Sequence, residues 1–521
     1  MTTTNFGDLW DAHAAAAPNR TAIIQGDQTV SWSQFERRSH AIARYLYEAG
    51  LPCGAVVAQY LYNGPEYLES VYGCFKASYW PVNTNYRYTV AEITDIWTRA
   101  DVQAVVFDEQ FIDTVDAVRA ALPNIKRWVV VGSRCPTWAE RYADIVERDQ
   151  AAPLVLPWRR SGDDICLLYT GGTTGAPKAV MWAQEDLAAA LGSLGDGYGP
   201  ESDPVVLLPA PPMMHGVGLF TAFLALNEGG TVVSLGRRFD PIELLDAVQQ
   251  RRVNVVTIVG DAFARPIVQA LAANEGRWDL RSLRSISSSG MILTDESKKA
   301  ILHHLPWVTI ADGLGASELV GAASAIITSA NSASHPAFRL SDRTRVVDDT
   351  NRDVKPGSGA IGRLAVRGIT PRGYYGDPEA TAATFPIIDG VRYALGGDYV
   401  TVDADGLITL LGRGSLCINT GGEKVYPDEV EAALRAISGI ADVAVLGVPN
   451  ETYGEVVAAV IVPEQGVEPP TLEAIATALR GRLASYKVPR HVLVKDSLNR
   501  GANGKIAFPE LRSWALAQRE T

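Results

Sequence analysis

The chain has 521 residues, 47% of them hydrophobic and 20% charged, with a formal net charge of −12. Its length exceeds one ordinary core and predicts two or more domains. The acidic balance argues against nucleic acid as a partner, because phosphate backbones need a basic footprint. The cysteines (Cys53, Cys74, Cys135, Cys166, Cys417) are odd in number and form no CxxC pair. That pattern argues against a disulfide framework or a zinc site and fits a reducing cytoplasm, where we expect the protein. The opening MTTTNFGDLW lacks a basic, then apolar leader, and no apolar run reaches the roughly eighteen residues of a membrane span.

In chain order, residues 1 to about 160 alternate helical and extended patterns. A helix is expected over 32–50, ending at Gly50, a strand over 56–61, and a helix over 65–77. A helix over 89–99 and the strand VQAVVFD (102–108) follow. Strands separated by helices predict a doubly wound, largely parallel sheet. The pattern repeats from about 161 to 330, where apolar runs precede each polar loop. Ligands in such sheets sit beyond the carboxyl ends of the strands. From 346 to 412 short strands and turns predict a β-rich subdomain, with Asp405-Gly406 as a hairpin signal. Beyond a boundary near 412–415, a helix over 427–436, paired strands DVAVLGV and EVVAAVIV, and a helix over 472–485 predict a small α+β domain.

The chemistry centres on residues 169–180, YTGGTTGAPKAV, which continue from the apolar run ICLLYT (165–170), itself predicted to be a short buried strand. Glycines let backbone N–H groups close around an anion, threonine hydroxyls add donors and Lys178 adds a point charge. The stretch is a phosphate cradle but not a Walker A loop, because Pro177 precedes Lys178 and Ala179 follows it. Four further stretches carry polar groups suited to nucleotide chemistry. ADGLGASE (311–318) ends in Glu318, a hard-oxygen ligand suited to Mg²⁺ with phosphates. YALGGD (393–398) offers Asp398, whose carboxylate suits two vicinal hydroxyls. Arg413 follows in LGR, and Lys505 lies in NRGANGKIAF. GSGAIG (357–362) satisfies the dinucleotide spacing, but a strand pattern follows it where a helix is required, so it reads as a turn entering a strand.

In this order the motifs resemble the adenylate-forming superfamily of acyl-CoA synthetases, luciferases and peptide-synthetase adenylation domains. "LYTGGTTG", "VGDAFARP" and "CINTGGEKVYPDEVE" look most like fatty-acyl and steroid side-chain CoA synthetases of actinobacterial type. The resemblance implies a large N-terminal domain (1–412) of doubly wound mixed sheets with a β-rich subdomain, and a small mobile α+β domain (416–521). It implies ATP, Mg²⁺ and coenzyme A as cofactors, with a hydrophobic carboxylic acid as substrate. It implies ATP and AMP contacts from Thr170, Gly171, Gly172, Thr173, Thr174, Gly175, Lys178, Ser289, Gly290, Asp312, Gly313, Leu314, Gly315, Ser317, Asp398, Arg413 and Lys505. It implies catalytic roles for Lys505, Glu318 and Thr174, Mg²⁺ binding by Glu318, a place for Gly421 and Gly422 in the CoA half-reaction, and Ser415 at the hinge. A homodimer is compatible with this reading.

Several positions depart from the family pattern: Ala179 for glycine, Leu314 for tyrosine, Ser317 and Gly396 for threonine, Ser415 for the hinge Asp or Lys, and Asn499 for proline. The acyl pocket is expected around His215, Gly216, Asp261 and Met291. His215 reads as a pocket gate, a general base or a packed imidazole; a base is unnecessary, because a carboxylate is already nucleophilic at pH 7. Asp261 with Arg265 reads equally as a buried pair or as polar groups of the pocket. Other readings of the chain are an acyl-AMP ligase that loads a carrier protein, a non-catalytic nucleotide-binding module and, on GSGAIG alone, a dehydrogenase.

Overall fold

The computed structural model describes residues 4–148, 153–170, 177–195, 205–291, 293–331, 338–348, 350–360, 362–413, 418–425, 427–499 and 508–518. The chain forms two compact units: one of 1–86, 96–170 and 179–411, the other of 87–95, 171–178 and 412–521.

Two eight-stranded sheets dominate the first unit. One runs in the order Leu319–Ile327, Thr309–Ala316, Ser285–Ser289, Val255–Ile258, Val206–Pro209, Thr231–Ser234, Thr21–Gln25 and Gln28–Ser31. Its inner pairs are parallel and the pairs at both ends are antiparallel. The sheet is therefore mixed, with its parallel centre read correctly from the strand–helix alternation. The other places Ile165–Thr170 between Lys178–Ala183 and Trp80–Asn83, and continues through Val56–Tyr60 and Val102–Asp108 to Arg127–Val131 and Glu140–Arg141. Gly373–Tyr374 closes its opposite edge. The central strands Val56–Tyr60 and Val102–Asp108 are buried along nearly their whole length, as expected for a parallel sheet covered on both faces.

The helices follow their sequence signals closely. Trp32–Glu48 begins at Ser31, whose side chain and that of Gln34 form a reciprocal capping box. Pro65–Lys76 starts with proline at its first turn. Gly216–Asn227 is apolar all round and accordingly buried along most of its length. The helix Phe6–Ala16 was not anticipated. Asn5 caps it, and Phe6 and Trp10 enter an aromatic cluster with Phe35, Tyr72, Phe75 and Phe223. Trp10 Nε1 donates to Asn227 Oδ1 at 2.9 Å, which satisfies the indole inside this core.

The β-rich region holds a six-stranded sheet including Thr344–Val347, Gly362–Arg367, Val391–Val402 and Leu407–Arg413. Asp405-Gly406 turns the last two, with Gly406 at φ +78°. Gly357 and Gly359 adopt φ +76° and +71°, and Gly362 opens the strand Gly362–Arg367. GSGAIG therefore enters a strand and opens no helix.

In the second unit, Ile440–Asn450 and Gly454–Pro463 form a long antiparallel pair, and Pro427–Arg435 packs on the first of them. The helix expected over 472–485 is shorter, Leu472–Leu479. Arg480 turns to φ −61°, ψ 128°, and Gly481 takes φ +78°. That glycine supplies a backbone state that ends the helix where the apolar periodicity alone would continue it.

Candidate active site

The site is built at the carboxyl ends of parallel strands, where short polar loops replace the apolar strand sequence. Asn83, at the end of Trp80–Asn83, is 5% exposed and fully engaged. Its amide donates to the carbonyls of Tyr169 (3.1 Å) and Met214 (2.5 Å), and its oxygen accepts the N–H of Tyr169 (2.7 Å). One side chain thus fastens the end of the phosphate strand to the loop that precedes helix Gly216–Asn227. Tyr67 donates to the carbonyl of Met213, and Asn63 accepts the Met213 N–H and donates to the Pro211 carbonyl. With its backbone groups satisfied from three directions, this buried loop avoids the cost of orphaned polar atoms.

His215 is half-buried and occupies the N-cap position of Gly216–Asn227, in extended backbone. A Cβ at Gly216 would lie 2.9 Å from Leu168 Cδ2 and 3.3 Å from Ser317 Oγ. The helix start therefore sits close against both the phosphate strand and the Glu318 loop, an approach that glycine's missing side chain allows without displacing either neighbour. Trp182 Nε1 donates to the Ser317 carbonyl at 2.8 Å. The structure thus brings together Tyr169, Met214, Gly216, Ser317 and Glu318 from distant parts of the sequence.

Glu318 is half-buried, and its Oε1 accepts the Tyr374 hydroxyl at 2.7 Å. Tyr374 is itself 8% exposed. Burial, and next the Glu318 charge, push its phenol well above its usual range, so it stays a donor at neutral pH. No other hydrogen bond to Glu318 occurs among the described residues, which leaves carboxylate capacity for a hard cation. Among them no cluster of three or more His, Cys, Asp or Glu side chains could hold a metal by itself. A cation at Glu318 would accordingly complete its shell from phosphate oxygens and water, the usual manner of Mg²⁺ at nucleotides.

The adenine side of the expected site is formed by two adjacent strands with Ser288↔Asp312 and Ser289↔Gly313 in register. Gly313 and Gly315 keep this surface flat. A Cβ at Gly315 would lie 2.9 Å from the Leu319 carbonyl oxygen. Leu314 is buried and belongs to the main core, so an apolar residue at the family's tyrosine position is packed inward. Gly290 adopts φ +89°, where a Cβ would meet Val217 and Val259. Met291 beside it is half-buried. Ser288 Oγ accepts the Gly260 N–H, and Thr257 and Ser287 share a hydroxyl hydrogen bond at 2.8 Å.

Two carboxylates named as site residues are already engaged. Asp312 is paired with Lys298 at 2.8 Å, both side chains nearly buried. Burial raises its carboxyl above the usual range, opposed by Lys298. Asp261 accepts the Thr294 N–H and hydroxyl, each at 2.9 Å, and lies 3.2 Å from Arg265. Thr294 caps the helix Asp295–His304, so Asp261 fixes a helix start. Asp261 and Arg265 form an ion pair whose arginine is half exposed.

Gly171, Gly172, Thr173, Thr174, Gly175, Ser415 and Lys505 lie outside the described residues, as do the side chains of Asp398 and Arg413. Thr170 ends its strand half-buried, and Lys178 opens the next. Residues 396–398 fall in a register irregularity between the strands Gly362–Arg367 and Val391–Val402. In the second unit, Gly421 (φ +58°) and Gly422 (φ +86°) form the two-residue turn between Ile418–Thr420 and Glu423–Val425. Positive φ at both central residues defines the primed hairpin turn, which explains the glycine pair locally. Asn499 adopts φ +49°, a conformation closed to the proline that the family pattern carries there.

Asn83, Trp182, Lys298 and Tyr374 were missed by sequence reasoning. Asn83 ends the strand Trp80–Asn83, but its partners are 86 and 131 residues away. For Tyr374 the available signal was a tyrosine directly after a glycine; Gly373 takes φ +147°.

The AMP-binding enzyme family profile matches residues 10–375, and that of the AMP-binding enzyme C-terminal domain matches residues 429–505. The chain belongs to the AMP-binding enzyme family. This AMP-binding enzyme is 38% identical to a medium/long-chain-fatty-acid–CoA/3-oxocholest-4-en-26-oate–CoA ligase of Mycolicibacterium smegmatis, over 98% of this chain and 96% of that protein. It is 36% identical to a 3-oxocholest-4-en-26-oate–CoA ligase of Rhodococcus rhodochrous, over 99% and 96%. Its fold is shared with the amide bond synthetase McbA from Marinactinospora thermotolerans, at TM-score 0.82 and 24% identity over 98% of this chain and 99% of that one.

Proposed function

We propose that this AMP-binding enzyme is an AMP-forming acyl-CoA ligase for a hydrophobic carboxylic acid, of the medium- to long-chain fatty or steroid side-chain class. The observation that carries the reading is identity of 36–38% along nearly the whole length to ligases named for those acids. In the first half-reaction the substrate carboxylate attacks the α-phosphorus of ATP. The α–β anhydride bond breaks and pyrophosphate leaves, giving acyl-AMP. In the second, the CoA thiol loses its proton and attacks the acyl carbon, and AMP leaves as the thioester forms.

The chain's residues divide this work. The backbone and hydroxyls of 170–175, with Lys178, bind the β- and γ-phosphates. Glu318 would hold Mg²⁺, which neutralises phosphate charge when bound. Ser289, Gly290, Gly313 and Gly315 bound the adenine, with Leu314 packed beneath them in the core and Asp312 held by Lys298 of the helix Asp295–His304. Asp398 and Arg413 hold the ribose. Lys505 stabilises charge around the bridging oxygens during adenylation. Gly421 and Gly422 face the thiol half-reaction. The Met214–Gly216 loop, His215 included, and Met291 border the acyl group. The engagement of Asp261 by Thr294 and Arg265 supports a role in holding that wall.

The test is pyrophosphate release, with CoA present, over a panel of fatty, aryl and steroid carboxylates. Thioester formation with fatty or steroid acids is the expected result. AMP-ester formation without thioester would favour the carrier-loading alternative, and no turnover with any acid would overturn the proposal.

A further inference from the structure

Two side chains hold the Glu318 loop, and both come from one short ribbon. The strand Lys178–Ala183 follows the phosphate segment in sequence, and its Val180 and Met181 pair antiparallel with Tyr374 and Gly373. Two flanking hydrogen bonds extend the pairing: Tyr375 N–H to the Ala179 carbonyl at 2.9 Å, and Arg372 N–H to the Met181 carbonyl at 2.8 Å. From one strand Trp182 holds the Ser317 carbonyl; from the other Tyr374 holds Glu318 Oε1 at 2.7 Å.

The tyrosine has little freedom to move. Its ring packs at 5.8 Å on Phe385, and its N–H donates to Thr381 Oγ1 at 2.9 Å. A Cβ at Gly373 would lie 2.5 Å from Thr381 Cγ2, so the ribbon is seated directly on the helix Pro378–Thr384. A free glutamate has three side-chain torsions to order before it can meet a cation. A donor fixed by packing removes most of that freedom and selects which oxygen stays open.

We infer that Tyr374 is a positioning residue for Glu318, holding one carboxylate oxygen so that the other is presented to a divalent cation carried by the nucleotide. The inference rests on the proposed adenylation chemistry, and no reaction step passes through the phenol itself. Outer hydrogen bonds of this kind typically set metal affinity by 10–100-fold.

The test compares wild type, Tyr374→Phe, Glu318→Gln and the double variant. Phenylalanine keeps the ring packing and removes the hydroxyl, with its donation to Glu318 and its hydrogen bond with Thr384. Mn²⁺ affinity is measured by electron paramagnetic resonance in the presence of α,β-methylene-ATP, which does not require turnover. The expected result is a weakening of about tenfold or more in Tyr374→Phe, with the double variant no weaker than Glu318→Gln alone. In pyrophosphate exchange the Mg²⁺ concentration for half-maximal rate should rise in parallel. Thioester formation from supplied acyl-AMP should stay within about twofold, since that half-reaction has already released the metal-bearing pyrophosphate. Unchanged Mn²⁺ affinity in Tyr374→Phe, or additive losses in the double variant, would overturn the inference. Absence of exchange by the wild-type protein with every acid would overturn the proposed function instead, and the Mn²⁺ measurement would still decide the role of Tyr374.

Discussion

Replacing Asn83 by alanine should cost more than most single changes in this protein. The amide makes three hydrogen bonds in a site that is 5% exposed. Each contributes about 1 kcal/mol net, and a buried N–H left without a partner costs about 1–3 kcal/mol. Two carbonyls and the Tyr169 N–H lose their partner together, so the loss should be about 3–5 kcal/mol. With a urea m-value of about 3 kcal/mol/M, the unfolding midpoint of the larger unit should fall by roughly 1 M, read by far-ultraviolet circular dichroism. Asn83→Asp should fare worse than alanine. Its carboxylate can still accept from Tyr169 but would face two carbonyl oxygens it cannot donate to. The same change should slow pyrophosphate exchange, because Met214 and Gly216 lose their tie to the phosphate strand. A midpoint shift below roughly 0.3 M, or an aspartate variant more stable than the alanine one, would refute the reasoning.

Three further outcomes follow from other groups. Lys505→Ala should abolish acyl-AMP formation while leaving thioester formation from supplied acyl-AMP largely intact; equal loss of both half-reactions would remove the role assigned to Lys505. Lys298→Met strands Asp312 as a buried unpaired carboxyl and should destabilise by about 3–5 kcal/mol at neutral pH. Because burial already raises the Asp312 carboxyl, its contribution is present below the ordinary carboxylate value and lost as pH rises through the folded value. The variant's deficit should therefore shrink as pH falls toward about 4, and urea midpoints measured across that range check the sign. Iodoacetamide at pH 8 should label exposed Cys135 and spare Cys74 and Cys166 in the native protein; burial pushes the Cys166 thiol up to about 12, leaving almost no thiolate to react.

The sequence announces those features that local patterns control. The strand at 102–108 and the strand at 165–170 were read to the residue, because apolar runs bounded by turns leave few alternatives. Ser31 and Pro65 marked helix starts by chemistry that acts within one turn. Phe6–Ala16 escaped notice because alanine and polar residues fill it, and its two aromatic anchors meet partners as distant as Phe223. The same reason hid Asn83 and Tyr374: each acts across 56 or more residues, through hydrogen bonds that no spacing rule encodes. Asp312 and Asp261 also lie in motif positions, and their carboxylates are engaged by Lys298 and Thr294, partners that lie outside those motifs.

The strand Thr21–Gln25 has a consequence for biosynthesis. It lies between its hairpin partner Gln28–Ser31 and Thr231–Ser234, with Ile23 opposite Val232. At about 5–20 residues per second, a ribosome finishes the second neighbour on the order of 10–40 s after the first strand emerges. Through that interval one edge of the hairpin waits unpaired, and Ile23, wholly buried in the finished protein, lies open to any passing strand. The nascent chain should therefore engage holdase chaperones through its first forty or so residues, and release them only when the strand at 231–234 arrives.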